Sequence, residues 1–158
     1  MRGDAFYNNA FNVNADKVVN NSLDNNIFWA SWYNYYRVIK QANAVIKFTP
    51  QVLEAGGISA EKADDVMGQA YCLRAFTYFW IIRIWGDAPL VTAPYLDSND
   101  SFDLPKAAVA DIVEQIHSDL ENASNMIDKN STSRTTFTQT AAYAINAHVY
   151  AWEHKYEE

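Results

Sequence analysis

The sequence is short of cysteine, of positive charge and of long apolar runs, and each shortage closes off a class of protein. Cys72 is the only cysteine, so no intrachain disulfide and no cysteine-rich metal site can form. Its place inside an apolar run makes it a small buried hydrophobe. Twelve Lys and Arg against nineteen Asp and Glu leave a net charge of −7. With no basic run, such a chain is a poor partner for nucleic acid or an anionic membrane. No apolar stretch reaches the ~20 residues needed to cross a bilayer. Met1 to Asp4 lead into polar residues, not into an apolar leader. A glycine-rich phosphate loop, HExxH, CxxC and GxSxG are all missing, so the motifs indicate neither catalytic residues nor a cofactor. His117, His148 and His154 lack a carboxylate or cysteine at metal-ligand spacing, and read as structural, with no metal implied. Asp64 and Asp65 are adjacent, so a helix points them apart; they read as a solvated face, not as an acid–base pair.

What the chain does have is apolar and aromatic side chains. At 49% hydrophobic and 15% aromatic it cannot be disordered, and 158 residues suffice for one domain with a core. The organising stretch is Gly68 to Leu90, in which only Arg74, Thr77 and Arg83 interrupt the apolar run Tyr71–Trp85. A helix apolar nearly all round has neighbours on several sides. Arg74 and Arg83 leave it on opposite sides, and each must reach water or a carboxylate.

Four helices are expected, at about 25–48, 59–85, 107–127 and 138–154, with an extended loop over 86–104. Phe28, Trp32, Tyr35, Ile39, Ala42 and Ile46 form one face of the first, which Pro50 limits. Trp29, Tyr33 and Tyr36 start a second row whose later members, Lys40, Asn43 and Lys47, are polar. Ser59 is the N-cap expected for the second helix, and Gly86-Asp87-Ala88-Pro89 stops it. Val109, Ile112, Val113, Ile116 and Leu120 stripe the third. Thr138 caps the fourth, where Ala141, Ala144, His148 and Ala151 make a row of mostly small side chains. The predicted class is all-α, two antiparallel helix pairs with at most a short strand or two in the 90–104 loop. The last residues, Tyr156-Glu157-Glu158, still follow a helical pattern, and both ends are expected to be cuts in a longer protein.

The order of motifs then becomes informative. WYNYYRVIKQANAVI, AYCLRAFTYFWIIRIWGDAPL, LPKAAVADIVEQIHSDLENA and TQTAAYAINAHVYAWEHKY follow one another over residues 25–156. This succession resembles the SusD/RagB family of outer-membrane nutrient-binding lipoproteins. The resemblance implies that the helix pairs are tetratricopeptide-like units, although like helices recur at about twice the ~34 residues of a regular repeat. It implies a non-catalytic scaffold part of a cell-surface protein that binds glycans or peptides, acting with a SusC-like TonB-dependent transporter. The lipoprotein signal and acylated cysteine of that family are not in this chain. Nor are its later helix pairs and irregular C-terminal part, so the fold is expected to be incomplete. The motif residues carried over are Arg74, Gly86, Asp87, Pro89 and Asp119, in a structural role. Tyr7, Trp29, Trp32 and Tyr95 are the aromatics able to stack on a sugar ring. A plain protein-interaction scaffold is the alternative function. Self-association through an apolar patch bordered by Ala144, Ala151 and Trp152 is a further expectation.

Overall fold

The computed structural model describes Lys17 and residues 31–94 and 104–157. Two compact units divide the chain, Met1–Asn34 and Tyr35–Glu158. Among the described residues the regular structure is four helices: α1 (Tyr33–Glu54), α2 (Ala60–Trp85), α3 (Val109–Met126) and α4 (Gln139–Trp152). The strand content among the described residues is a single antiparallel bridge between Ala88 and Ala107, on either side of the 90–104 stretch expected to hold any strand, of which residues 95–103 lie outside the described residues.

Named contacts fix the directions. Tyr35 meets Trp85, and Asn43 meets Arg74, so α1 and α2 run antiparallel. Gly68 lies against Ile127 and Arg74 against Asp119, so α2 and α3 do the same along their most extensive interface. Ser124 meets Gln139 and His117 meets Asn146, which makes α3 and α4 antiparallel. Phe76 touches Phe137, and Phe79 touches His148 and Trp152, which lays α4 along α2 in the same direction. Alternating helices in two hairpins is the all-α, tetratricopeptide-like arrangement expected. Ile39, Tyr78, Phe79, Ile112, Ile116, Leu120 and Val149 fill its centre, essentially without solvent exposure. Each such residue contributes about 1.5–3 kcal/mol over an exposed position.

The caps follow the sequence at three places. Ser59 Oγ accepts from Lys62 N–H, and Thr138 Oγ1 accepts from Ala141 N–H. Gly86, at φ 73° and ψ −128°, ends α2 in a conformation that only glycine adopts freely.

The first helix departs from expectation at both ends. Ser31 and Trp32 are not helical, and Ser31 Oγ takes the Tyr33 amide instead, so the described helix does not reach back towards residue 25. Pro50 does not limit α1, which continues to Glu54. A proline removes one N–H, and here Pro50 is exposed, so water can serve the freed Ile46 carbonyl. The true stop is Gly56 at φ 73°, with Gly57 N–H on Val52 O and Gly56 N–H on Leu53 O. The central helix is also less enclosed than its composition implies. Leu73, Phe76, Trp80 and Ile84 form an uncovered stripe along α2, with Arg83 stacked over the Phe79 and Trp80 rings.

The helical pattern at the chain's last residues is broken too. α4 ends at Trp152, and Lys155 N–H closes on Tyr150 O while His154 N–H closes on Ala151 O. This is the same ending as that of α1, but the left-handed position is filled by His154 at φ 62° instead of glycine. A β-carbon there is strained by about 1 kcal/mol. His154→Gly is therefore expected to raise stability by roughly 0.5–1 kcal/mol in urea unfolding. An unchanged or lower midpoint would show that the His154–Tyr156 contact, Nδ1 to Oη at 3.0 Å, outweighs the strain.

Candidate functional site

Of the four ligand candidates, Tyr7, Trp29 and Tyr95 lie outside the described residues. Trp32 is half-buried in the first unit, one residue ahead of α1. The family-motif residues, by contrast, converge around one buried ion pair and the turn that leaves α2.

Arg74 is 4% exposed and Asp119 0%. The guanidinium donates from Nε to Asp119 Oδ2 at 2.8 Å and from Nη2 to Oδ1 at 2.7 Å, a two-pronged fit of planar groups. Its remaining nitrogen, Nη1, donates to Asn43 Oδ1 at 2.6 Å and to the Thr92 carbonyl at 3.2 Å. Gln115 Nε2 adds a donor to Asp119 Oδ1 at 2.8 Å, and the Tyr71 ring lies 5.4 Å from the guanidinium carbon. Ionised groups are tolerated in an interior only when every prong is matched in this way. Among the described residues no buried side-chain nitrogen or oxygen is left without a partner.

The turn supplies a cap at a distance. Ala108 sits at the N-cap of α3 with no side-chain bond to offer, and Asp87 Oδ1 accepts from Val109 N–H at 3.0 Å instead. A carboxylate at a helix N-terminus also meets the positive end of the helix dipole. Ala107 N–H donates to Ala88 O, and Pro89 then directs the chain into residues 90–94. Gly86, Asp87 and Pro89 thus splice the end of α2 to the start of α3.

A second polar cluster ties α3 to α4. His117 stacks on Tyr150, with ring centroids 4.2 Å apart. Its Nδ1 lies 2.6 Å from Asn146 Oδ1 and its Nε2 2.7 Å from Glu153 Oε2. The carboxylate partner that sequence spacing had not offered comes from 36 residues away, across the helix pair. Lys155 Nζ reaches the other oxygen of Glu153 at 3.0 Å. Burial works to raise the Glu153 pKa, but the hydrogen bonds and charges of His117 and Lys155 outweigh it and hold the carboxyl below its ordinary value. That stabilisation is present above the ordinary carboxylate pKa and fades as pH falls through the lowered one.

Burial pushes the Cys72 thiol up to about 12, far from the thiolate a nucleophile needs. Among the described residues no group of three or more His, Cys, Asp or Glu could hold a metal ion. No described helix is long and apolar enough to cross a membrane. Open grooves occur among the described residues. One of about 610 Å³ lies between α1, α2 and residues 134–137, lined by Gln41, Val45, Gln69, Leu73 and Phe137 among others. One of about 580 Å³ is lined mostly by polar side chains, Ser59, Glu61, Asp64, Asp65 and Asp128 among them. Another, about 390 Å³, is lined by Ala147, Ala151, Tyr143, Tyr150 and Tyr156 among others. On the same helix Ala144, Ala151 and Trp152 are exposed.

Residues 1–151 match the family model of SusD-like proteins described as starch-binding and associating with the outer membrane. A SusD-like protein of Formosa agariphila, P38, is 30% identical over 145 residues, which is 89% of this chain and 27% of that protein. The crystal structure of a SusD superfamily protein from Bacteroides vulgatus superposes with a TM-score of 0.81 at 24% identity, over 94% of this chain and 31% of the other. A structure solved with a xylogluco-oligosaccharide matches at TM-score 0.66 and 28% identity, over 77% of this chain and 23% of the other. The chain thus spans about a quarter to a third of the length of these three proteins. The match of the family model across residues 1–151, nearly the whole chain, leads to one conclusion: the chain belongs to the SusD-like family.

Proposed function

We propose that this chain is the helical scaffold part of a non-catalytic, glycan-binding outer-membrane lipoprotein that acts with a TonB-dependent transporter. The observation that carries this reading is the likeness to the structure solved with a xylogluco-oligosaccharide, within a family described as starch-binding and outer-membrane-associated. The chemistry fits a scaffold. Motif residues Arg74, Asp119, Gly86 and Asp87 are occupied with one another and with the backbone, which leaves ligand contact to the aromatic candidates Tyr7, Trp29, Trp32 and Tyr95. A sugar ring stacks on such rings only where polar groups stand beside them. Residues 1–158 alone are therefore expected to bind xylogluco- and malto-oligosaccharides with a dissociation constant weaker than ~1 mM, under ~4 kcal/mol. Titration calorimetry measures this. Micromolar binding lost in Trp29→Ala or Tyr95→Ala would show a complete site here and defeat the scaffold assignment.

A second reading, a protein-interaction scaffold with no small ligand, draws on the uncovered stripe Leu73, Phe76, Trp80 and Ile84 and on the exposed Trp152. Apolar side chains gathered on one face mark an interface more often than a sugar site. Absence of any heat with every glycan, together with self-association of the same samples in sedimentation equilibrium, would favour it. A strict monomer that takes up glycan weakly would favour the first reading.

A further inference from the structure

Residues 89–93 belong to no helix or strand, and Thr92 and Ala93 are exposed. A surface segment of this kind normally gives its carbonyls to water. This one turns them inward. Tyr36 Oη donates to Pro89 O at 2.6 Å, and Asn43 Nδ2 donates to both Val91 O at 3.0 Å and Ala93 O at 3.2 Å. Arg74 Nη1 donates to Thr92 O at 3.2 Å. Tyr78 Oη takes the Val91 N–H at 2.7 Å and lies 3.1 Å from Val91 O. Every carbonyl named is held by a side chain from α1 or α2.

The orientation of Asn43 is not open to choice. Arginine has donors only, so the oxygen of the Asn43 amide must face Arg74 and its NH₂ must face the two carbonyls. Asn43 is 1% exposed, which leaves no water to substitute for either contact. Arg74 in turn is locked to Asp119 of α3. One side chain of α1 therefore connects the backbone of the segment to an ion pair that spans α2 and α3.

We infer that Asn43 is a positioning residue: with Tyr36, Arg74 and Tyr78 it holds residues 89–93 as a fixed rail, so that the packing of α1, α2 and α3 sets where the chain departs at Pro94. The next residue in sequence is the ligand candidate Tyr95. The inference itself depends only on contacts within the described residues, and it does not require that a glycan binds.

The test is amide hydrogen exchange in the whole chain, followed by NMR at Val91, with Ile116 of α3 as the internal reference. Asn43→Asp keeps an acceptor for Arg74 but turns a carboxylate oxygen on two carbonyls, and Tyr36→Phe releases Pro89 while keeping its ring. In both, exchange at Val91 is expected to quicken about tenfold or more beyond whatever change Ile116 shows, the pattern of a local opening. Unchanged exchange at Val91 in both variants overturns the inference. Equal acceleration at Ile116 also overturns it, because Asn43 would then be an ordinary core residue. If Asn43→Asp does not fold, Tyr36→Phe decides the matter alone. Titration of the same variants with a xylogluco-oligosaccharide reports on the glycan reading separately.

Discussion

Asp119→Ala is expected to destabilise the chain by about 3–5 kcal/mol, the largest loss available from one polar substitution here. The reason is not the strength of the pair but what its loss leaves behind. Arg74 cannot shed its charge, is buried at 4% exposure, and is enclosed by Tyr71, Asn43 and the Thr92 carbonyl. Without Asp119 two of its nitrogens, Nε and Nη2, face no acceptor. Gln115 Nε2 loses its acceptor as well. A thermal midpoint on the order of 10 °C lower is the expected readout.

The double variant Arg74→Met, Asp119→Leu sharpens the test. Replacing a buried ion pair by apolar side chains is often neutral or better. Here it should recover only part of the loss, since Asn43 Oδ1, Gln115 Nε2 and Thr92 O all lean on the pair. Each buried group left unsatisfied costs about 1–3 kcal/mol. A double variant as stable as wild type would mean that these neighbours find water or repack, and that the pair is dispensable to the fold. A single variant losing under ~1 kcal/mol would place Arg74 in the class of solvent-screened surface pairs, contrary to its burial.

How far the sequence led depended on the range of the interaction involved. Ser59, Thr138 and Gly86 act on their own helix ends, and local chemistry is enough to identify them. The requirement that Arg74 meet a carboxylate was also visible, because a guanidinium in an apolar helix has few alternatives. Its third helix neighbour was not. Asn43 falls on a row with Lys40 and Lys47, both exposed, and nothing local distinguishes it from them. The contacts with Arg74, Val91 and Ala93, 31, 48 and 50 residues away, together explain why an amide is buried there. Asp87 was read as part of a helix stop and also proves to cap α3, across a separation of 22 residues. Pro50 misled in the other direction. One missing N–H on an exposed side is a small perturbation, and the positive φ of Gly56 is the stronger signal. His154 gave no local signal, since a non-glycine residue of any kind takes the left-handed position only occasionally, histidine more often than most. The proposed ligand residues Tyr7, Trp29 and Tyr95 lie outside the described residues.

Gly68 offers a test in which two principles predict opposite signs. It lies within α2, eight positions along from Ala60, and helix propensity alone favours alanine over glycine there by about 1 kcal/mol. The packing says otherwise. A β-carbon at Gly68 would sit 2.8 Å from Ile127 Cγ1, 3.0 Å from the Ile127 backbone nitrogen and 3.1 Å from Met126 Cβ. The first of these could yield by a rotamer change, but the other two belong to the backbone and to its first side-chain atom, at the C-terminal end of α3. Ile127 itself is buried, at 1% exposure, so it has nowhere free to move. Relief therefore requires α2 and the C-terminal end of α3 to separate, at the most extensive interface among the described helices. Overpacking of this kind costs about 1–3 kcal/mol, enough to exceed the gain in propensity. Gly68→Ala is accordingly expected to lower the urea midpoint, and Gly68→Val to lower it further. If the alanine variant proves more stable than wild type, α3 can shift without loss, and the close approach at Gly68 is incidental. Pairing Gly68→Ala with Ile127→Ala in a double-mutant cycle separates the two contacts, because alanine removes Cγ1 and leaves the backbone. A Gly68→Ala loss that vanishes in the Ile127→Ala background would assign the clash to Ile127 Cγ1, whereas an undiminished loss would assign it to the backbone and make glycine a requirement of the α2–α3 contact.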